Sequence, residues 1–229
     1  MPDPLRGYDR LAMPYRAIEW AVFGNRLDDA RQALLDSLTS LTDSSPPQRV
    51  LVLGDGNGRL LAQLIRRLPE ARFISVDQSP SMLKQQMART GDQAHRVRFV
   101  ASRIDRDFDW SRAHLKLDEV ELVVAAFFFD CFCREELRTI AQALVASLRP
   151  HARIYWVDFL EPARPSLTTR MIRRSMLRFF RLAAQHPNMH LVDVGRVLTE
   201  AGCPVEQQWS DREGFLHAAI HRVGISSPS

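Results

Sequence analysis

The chain predicts a doubly wound α/β sheet, and three observations carry that prediction. Val50-Leu51-Val52-Leu53 is an aliphatic, β-branched run that breaks into Gly54, Gly56 and Gly58. Such a run suits a buried parallel strand turning sharply into a helix, with backbone free to approach a ligand. About 20 residues later a second run, Phe73-Ile74-Ser75-Val76, ends in Asp77, the spacing that sets an acid beside the glycine loop, where it can accept both hydroxyl hydrogens of a ribose. Further apolar runs then alternate with helical periodicity along the rest of the chain.

The elements follow in order. Ser79 is read as the N-cap of a helix with Pro80 at its first position, the cap accepting an orphan amide and the proline giving up none that is needed. Val97 to Val100 reads as a third strand and Glu121 to Ala126 as a fourth. Arg134 to Leu148 repeats apolar residues at helical spacing and stops at Arg149-Pro150, and Ala152 to Phe159 supplies a fifth strand.

The spacing of the glycines selects the cofactor. A dinucleotide fingerprint needs its third glycine at position 59, so that the pyrophosphate reaches a helix N-terminus, and Arg59 stands there. Asp55 in the loop would repel two phosphates in a partly desolvated site. Both features count against NAD or FAD. Gly-x-Gly-x-Gly followed by the acid after the second strand resembles the class I S-adenosylmethionine-dependent methyltransferases, from about Arg49 to Val223. The resemblance implies a Rossmann-like, three-layer αβα fold on a seven-stranded, mostly parallel sheet, closed by a C-terminal antiparallel hairpin over Cys203 to Trp209 and Phe215 to Val223.

It also implies S-adenosylmethionine as cofactor, contacted by Gly54, Asp55, Gly56, Asn57, Gly58, Asp77, Gln78, Met82, Ser102, Arg103, Ile104 and Ala125. Two positions depart from the family pattern. Val52 stands where the first strand usually carries an acid, and Arg103 stands where an acid often receives the adenine amino group. Adenine is then expected at backbone groups near Ser102 to Ile104, or at Asp105.

A chain of 229 residues, 45% of them hydrophobic, suffices for one substantial core. No apolar run of about 18 residues could span a bilayer and no signal-peptide core opens the chain, so a soluble, cytoplasmic protein is expected. Cys131, Cys133 and Cys203 make neither a disulfide framework nor zinc-ligand spacing, so no metal is expected.

The net charge of +4 is largely local. Residues 164 to 181 hold six arginines and no acid, with Arg170, Arg174, Arg178 and Arg181 on one helical face. That face reads as a solvated surface or as a platform for an anionic acceptor or anionic membrane. No base-stacking motif accompanies it, which disfavours nucleic acid.

Tyr8-Asp9-Arg10-Leu11-Ala12-Met13-Pro14-Tyr15 resembles the opening of quinone and phospholipid head-group methyltransferases, with Arg16 replacing their second acid. Ser44-Ser45-Pro46-Pro47 marks a linker. The expected organisation is an N-terminal helical cap over 1–45 and a methyltransferase domain over 46–229, with a helical insertion at about 163–190. In such enzymes the opening segment lines the acceptor pocket, and Tyr8, Tyr15, Phe127, Phe128, Arg174 and Arg178 are the acceptor-binding residues expected here.

Methyl transfer is an in-line displacement, whose main demands are alignment and exclusion of water. Where the acceptor is a hydroxyl or protonated amine, a base helps. Asp130, after the fourth strand, is the first choice for it, ahead of His186 and His190, and its structural reading is an N-cap or salt-bridge role before the helix beginning near Arg134. The expected function is methyl transfer from S-adenosylmethionine to a small-molecule or lipid-like acceptor. Its alternatives are a scaffold that keeps the fold without catalysis, and an NAD-dependent oxidoreductase.

Overall fold

The computed structural model describes residues 46–111, 115–162 and 191–224, with 32, 35, 36, 166, 167, 169 and 170 besides. Seven strands form one sheet: β1 (Arg49–Leu53), β2 (Arg72–Asp77), β3 (Val97–Ala101), β4 (Leu122–Ala126), β5 (Arg153–Phe159), β6 (Val205–Ser210) and β7 (Leu216–Arg222). Their order is β3-β2-β1-β4-β5-β7-β6. The first five run parallel, whereas β7 is antiparallel to both β5 and β6. The Rossmann-like sheet with a closing hairpin is as the sequence predicts, with boundaries shifted by a residue or two.

Among the described residues, four complete helices flank it: α1 (Arg59–Arg67), α2 (Pro80–Thr90), α3 (Arg134–Ser147) and α4 (Val194–Glu200). Side-chain alternation along β5 divides the core into two layers. Ile154 and Trp156 pack with Leu137, Ile140 and Leu144 of α3 and Val197 and Leu198 of α4. Tyr155, Val157 and Phe159 pack on the opposite face with Leu60, Leu61 and Leu64 of α1. Because β1 is covered on both faces, it reads as an unbroken aliphatic run, and Val52 is one of its buried core residues.

Ser79 accepts from the Met82 N–H at 3.3 Å and Pro80 opens α2, as predicted. Helix α3 is capped differently. Its N-cap is Cys133, with the Glu136 carboxylate accepting from the Cys133 N–H at 3.3 Å, so Asp130 does not cap it. Helix α4, with Asp193 accepting from the Arg196 N–H at 3.0 Å, was not predicted: it has seven residues, too few for a periodic pattern to stand out.

The functional consequence lies in the register. Leu53 pairs with Val76 on one side and Ala125 on the other, so the carboxyl ends of β1, β2 and β4 finish level. The chain leaves β1 toward β2, and β4 fills its other side. That reversal opens a crevice at the carboxyl ends of the strands, where sheets of this kind bind ligands.

Candidate functional site

On the β1–β2 side of the crevice the three glycines of the loop all have positive φ, +62° at Gly54, +58° at Gly56 and +82° at Gly58, a conformation costly for any other common residue. Two of them also make close approaches. A Cβ on Gly54 would come 2.4 Å from the Phe128 ring, and one on Gly58 would come 2.8 Å from the Gln86 Cα. At Gly56 it would meet nothing within 4 Å, so Gly56 is required for its backbone angle and not for internal packing.

Asp77 is buried at the end of β2. Its carboxylate accepts from the Gly56 N–H at 3.2 Å and from the Ser79 N–H at 2.9 Å, which ties the acid to the glycine loop as the spacing implied. The loop itself is pinned from α2. Buried Gln86 donates to the Gly56 carbonyl at 2.9 Å while accepting from the Ser75 hydroxyl at 2.6 Å, and Arg89 donates to the Asn57 carbonyl at 2.9 Å. Nothing local in the sequence marks Gln86. Its signal is a polar residue on the face of α2 that also buries Leu83 and Thr90.

The carboxylate of Asp55, a residue expected to contact the cofactor, is turned toward α1. Its two carboxylate oxygens accept from the Leu60 and Leu61 N–H groups, at 3.3 and 2.9 Å. The first turn of α1 therefore already holds an anion, in the place where a dinucleotide fold seats its pyrophosphate. The sequence read Asp55 as a repulsive charge; the structure makes it an occupant.

The remaining expected cofactor contacts are spread around the crevice. Gln78 and Met82 are half-buried at the start of α2, and Ser102 is half-buried after β3, its N–H bonded to the Asp77 carbonyl at 3.0 Å. Arg103 turns to Asp105, 3.8 Å away, in an exposed pair. Ile104 and Ala125 are buried in the core layer that includes Ile74 and Val76.

On the β4–β5 side, the N–H of Phe127 continues the sheet by donating to the Val157 carbonyl at 2.8 Å. Phe127 then takes a φ of +55°, a strained conformation for an aromatic residue and a frequent mark of functional sites. The bend sends successive rings to opposite layers. Phe127 packs on Phe159, centroids 5.2 Å apart, while Phe128 lies against Gly54 and Phe132. Phe128 thus borders the glycine loop, nearer the expected cofactor than a purely acceptor-facing residue would be.

Asp130 follows on a short helical turn (Phe129–Cys131). Desolvation by the surrounding protein raises its carboxyl to a pKa of about 6, against smaller opposing hydrogen bonds. Close by is Asp158 of β5, which the sequence reading passed over. It is fully buried, accepts from the Phe129 N–H at 3.0 Å, and burial together with the charge of Asp130 pushes its pKa well up. A charged residue near the end of an otherwise apolar strand was the signal that could have found it. Desolvation, then Asp130 and Asp158, also raises the Cys131 thiol, with a smaller effect from Asp77, so the two sides of the crevice are within electrostatic reach of each other.

Tyr8, Tyr15, Arg174, Arg178, His186 and His190 lie outside the described residues, as do most of the expected cap and insertion. Among the described residues no helix is long and apolar enough to cross a membrane.

Residues 50–151 match a family model described as a methyltransferase domain. No curated protein is similar to the chain. Solved structures share its fold at low identity. The mitomycin 7-O-methyltransferase MmcR is 15% identical, with a TM-score of 0.64 over 87% of this chain and 55% of its own. An O-methyltransferase family protein from Burkholderia thailandensis is 17% identical, with a TM-score of 0.66 over 95% of this chain and 63% of its own. The N-methyltransferase NodS from Bradyrhizobium japonicum is 15% identical, with a TM-score of 0.60 over 88% and 98%. The chain therefore spans less than two thirds of the first two structures and nearly all of the third.

Proposed function

We propose that the chain, whose residues 50–151 match a methyltransferase-domain model, is a class I S-adenosylmethionine-dependent methyltransferase that takes S-adenosylmethionine as its cofactor and moves a methyl group to a small-molecule or lipid-like acceptor. The observation that supports the reading best is the contrast between two carboxylates in one loop region. Asp77 is oriented by backbone N–H groups beside the glycines, suited to the hydroxyls of a ribose. Asp55 fills the helix N-terminus, which opposes a pyrophosphate and favours a nucleoside ligand without one. The residues present fit S-adenosylmethionine and do not fit NAD.

When bound, the cofactor supplies a methyl group on a sulfonium. The chain would contribute position and dryness. Asp77 would hold the ribose, the open space at Gly56 would let backbone approach the ligand, and the half-buried Phe127 and Phe128 would wall the acceptor side against water. Asp130 would receive the proton given up by a hydroxyl or ammonium acceptor. A base poised just below neutral pH is ionised in the cell's range and still basic enough to be useful. Tyr8, Tyr15, Arg174 and Arg178 complete the proposal as acceptor contacts, the two arginines offering bidentate bonds to an anionic group.

Calorimetry with S-adenosylmethionine, S-adenosylhomocysteine and NAD tests the reading. The first two should bind and NAD should not, and Asp77→Ala should weaken S-adenosylmethionine by tenfold or more, because each lost charge-assisted bond is worth about 1.5–3 kcal/mol. Binding of none of the three would leave a scaffold, and binding of NAD alone an oxidoreductase.

A further inference from the structure

We propose that Asp130 and Asp158 share a single proton, held on Asp158, so that Asp158 acts as the positioning residue that presents Asp130 to the acceptor as one oriented carboxylate. This deepens the methyl-transfer reading and rests on it. The geometry is that of a buried carboxyl near the end of β5 bonded to the turn that carries Asp130. The Asp158 Oδ2 is used by the Phe129 N–H at 3.0 Å, which fixes the plane of the group. Its Oδ1 is fully buried and finds no donor among the described residues. An ionised Oδ1 in that position would lack both water and a hydrogen-bond partner, a costly state. With a proton on Oδ1 the orphan becomes a donor, and Asp130, which follows directly on the Phe129 amide that Oδ2 holds, is the carboxylate proposed to accept it.

The groups around the pair favour this arrangement. On the same turn, the Cys131 thiol donates to the Asp130 Oδ1 at 3.6 Å. At the end of β2, Asp77 adds negative charge within reach of Cys131. On β7, His217 sits opposite Asp158 in the strand register, stacked on Trp156 at 5.4 Å, and burial lowers its pKa, so that it is neutral at pH 7 and does not neutralise a second carboxylate. Like charges so close do not both ionise. The pair carries one negative charge, and the deeper, fully buried member keeps the proton. When Asp130 accepts the acceptor's proton, the hydrogen bond from Asp158 is the contact that holds the receiving oxygen in line.

Infrared spectroscopy of the full chain, with and without 13C-labelled aspartate, reads the proton directly. At pH 7 the wild type should show one carboxylic-acid C=O stretch from aspartate. That signal should vanish in Asp158→Asn and should titrate at lower pH in Asp130→Asn, where the neighbouring charge is gone. Asp158→Asn should also retain the thermal midpoint better than Asp158→Ala, because an amide can still accept from Phe129 and donate to Asp130. Absence of an aspartic-acid signal in the wild type at pH 7, or its persistence in a folded Asp158→Asn, overturns the proposal. S-Adenosylmethionine calorimetry on the same samples separates the two readings: cofactor binding without the acid signal removes only the shared proton, and the acid signal without cofactor binding removes only the methyltransferase reading.

Discussion

The two sides of the crevice handle negative charge in opposite ways. Around the glycine loop, Asp55 and Asp77 are each met by two backbone N–H groups, so charge is matched by dipoles that the turn geometry supplies. Beyond β4, Asp130 and Asp158 are desolvated and set against each other. The first arrangement suits a fixed ligand contact, since a carboxylate answered by amides has little to gain from a proton. The second suits proton traffic. A carboxyl raised to about 6 changes state within the working range, which a satisfied carboxylate does not.

The sharpest way to break this comparison is to join the two sides by force. Gly54→Val puts a β-branched residue at φ +62° and drives it into the Phe128 ring. It should cost about 2–4 kcal/mol of stability and abolish S-adenosylmethionine binding, as read by denaturant unfolding and calorimetry. A variant with wild-type stability would show that the loop and the Phe128 turn are not packed together. A somewhat smaller effect is expected from Gln86→Leu, which strands the Ser75 hydroxyl and the Gly56 carbonyl. The loss should be about 2–3 kcal/mol, accompanied by weaker cofactor affinity, because the loop loses its pin. Should Gln86→Leu destabilise without touching affinity, the loop is held by its own turn geometry and α2 is merely support.

The smallest effect concerns pH and belongs to the β4–β5 side of the crevice. Asp130 is raised in the folded protein from an ordinary value near 4 to about 6, so in that window the native state binds more protons than the unfolded chain and stability falls as pH rises through it. Half-buried Glu119 and exposed Glu200 and Glu206, lowered chiefly by their hydrogen bonds to Lys116, Arg196 and Arg153, slope the other way at lower pH. Comparing Asp130→Asn with the wild type between pH 4 and 6 isolates the first contribution. The variant should lose less stability as pH rises; identical slopes would mean that Asp130 is not desolvated.

How much of this could be read in advance differs between the same two regions. The glycines, Asp77, Ser79 and Pro80 are legible because each acts through local chemistry: a positive φ, a strand end, a cap and a first-turn proline. Gln86 and Asp158 act through partners 30 and 29 residues away, which spacing within an element does not reveal. Asp55 was visible as an acid in the loop, but its bonds to Leu60 and Leu61 depend on how sharply the loop turns back over α1.

The bend at Phe127 has a mechanical consequence. Its N–H belongs to the sheet, bonded to Val157, and its φ of +55° is one that glycine would adopt more cheaply. With an aromatic ring anchored on Phe159, the joint is an elbow without play: swinging it would break a sheet bond and unstack two rings at once. The wall it carries is therefore built as part of the rigid frame rather than as a lid, so under the proposed function an acceptor would meet a shape already set before it arrives.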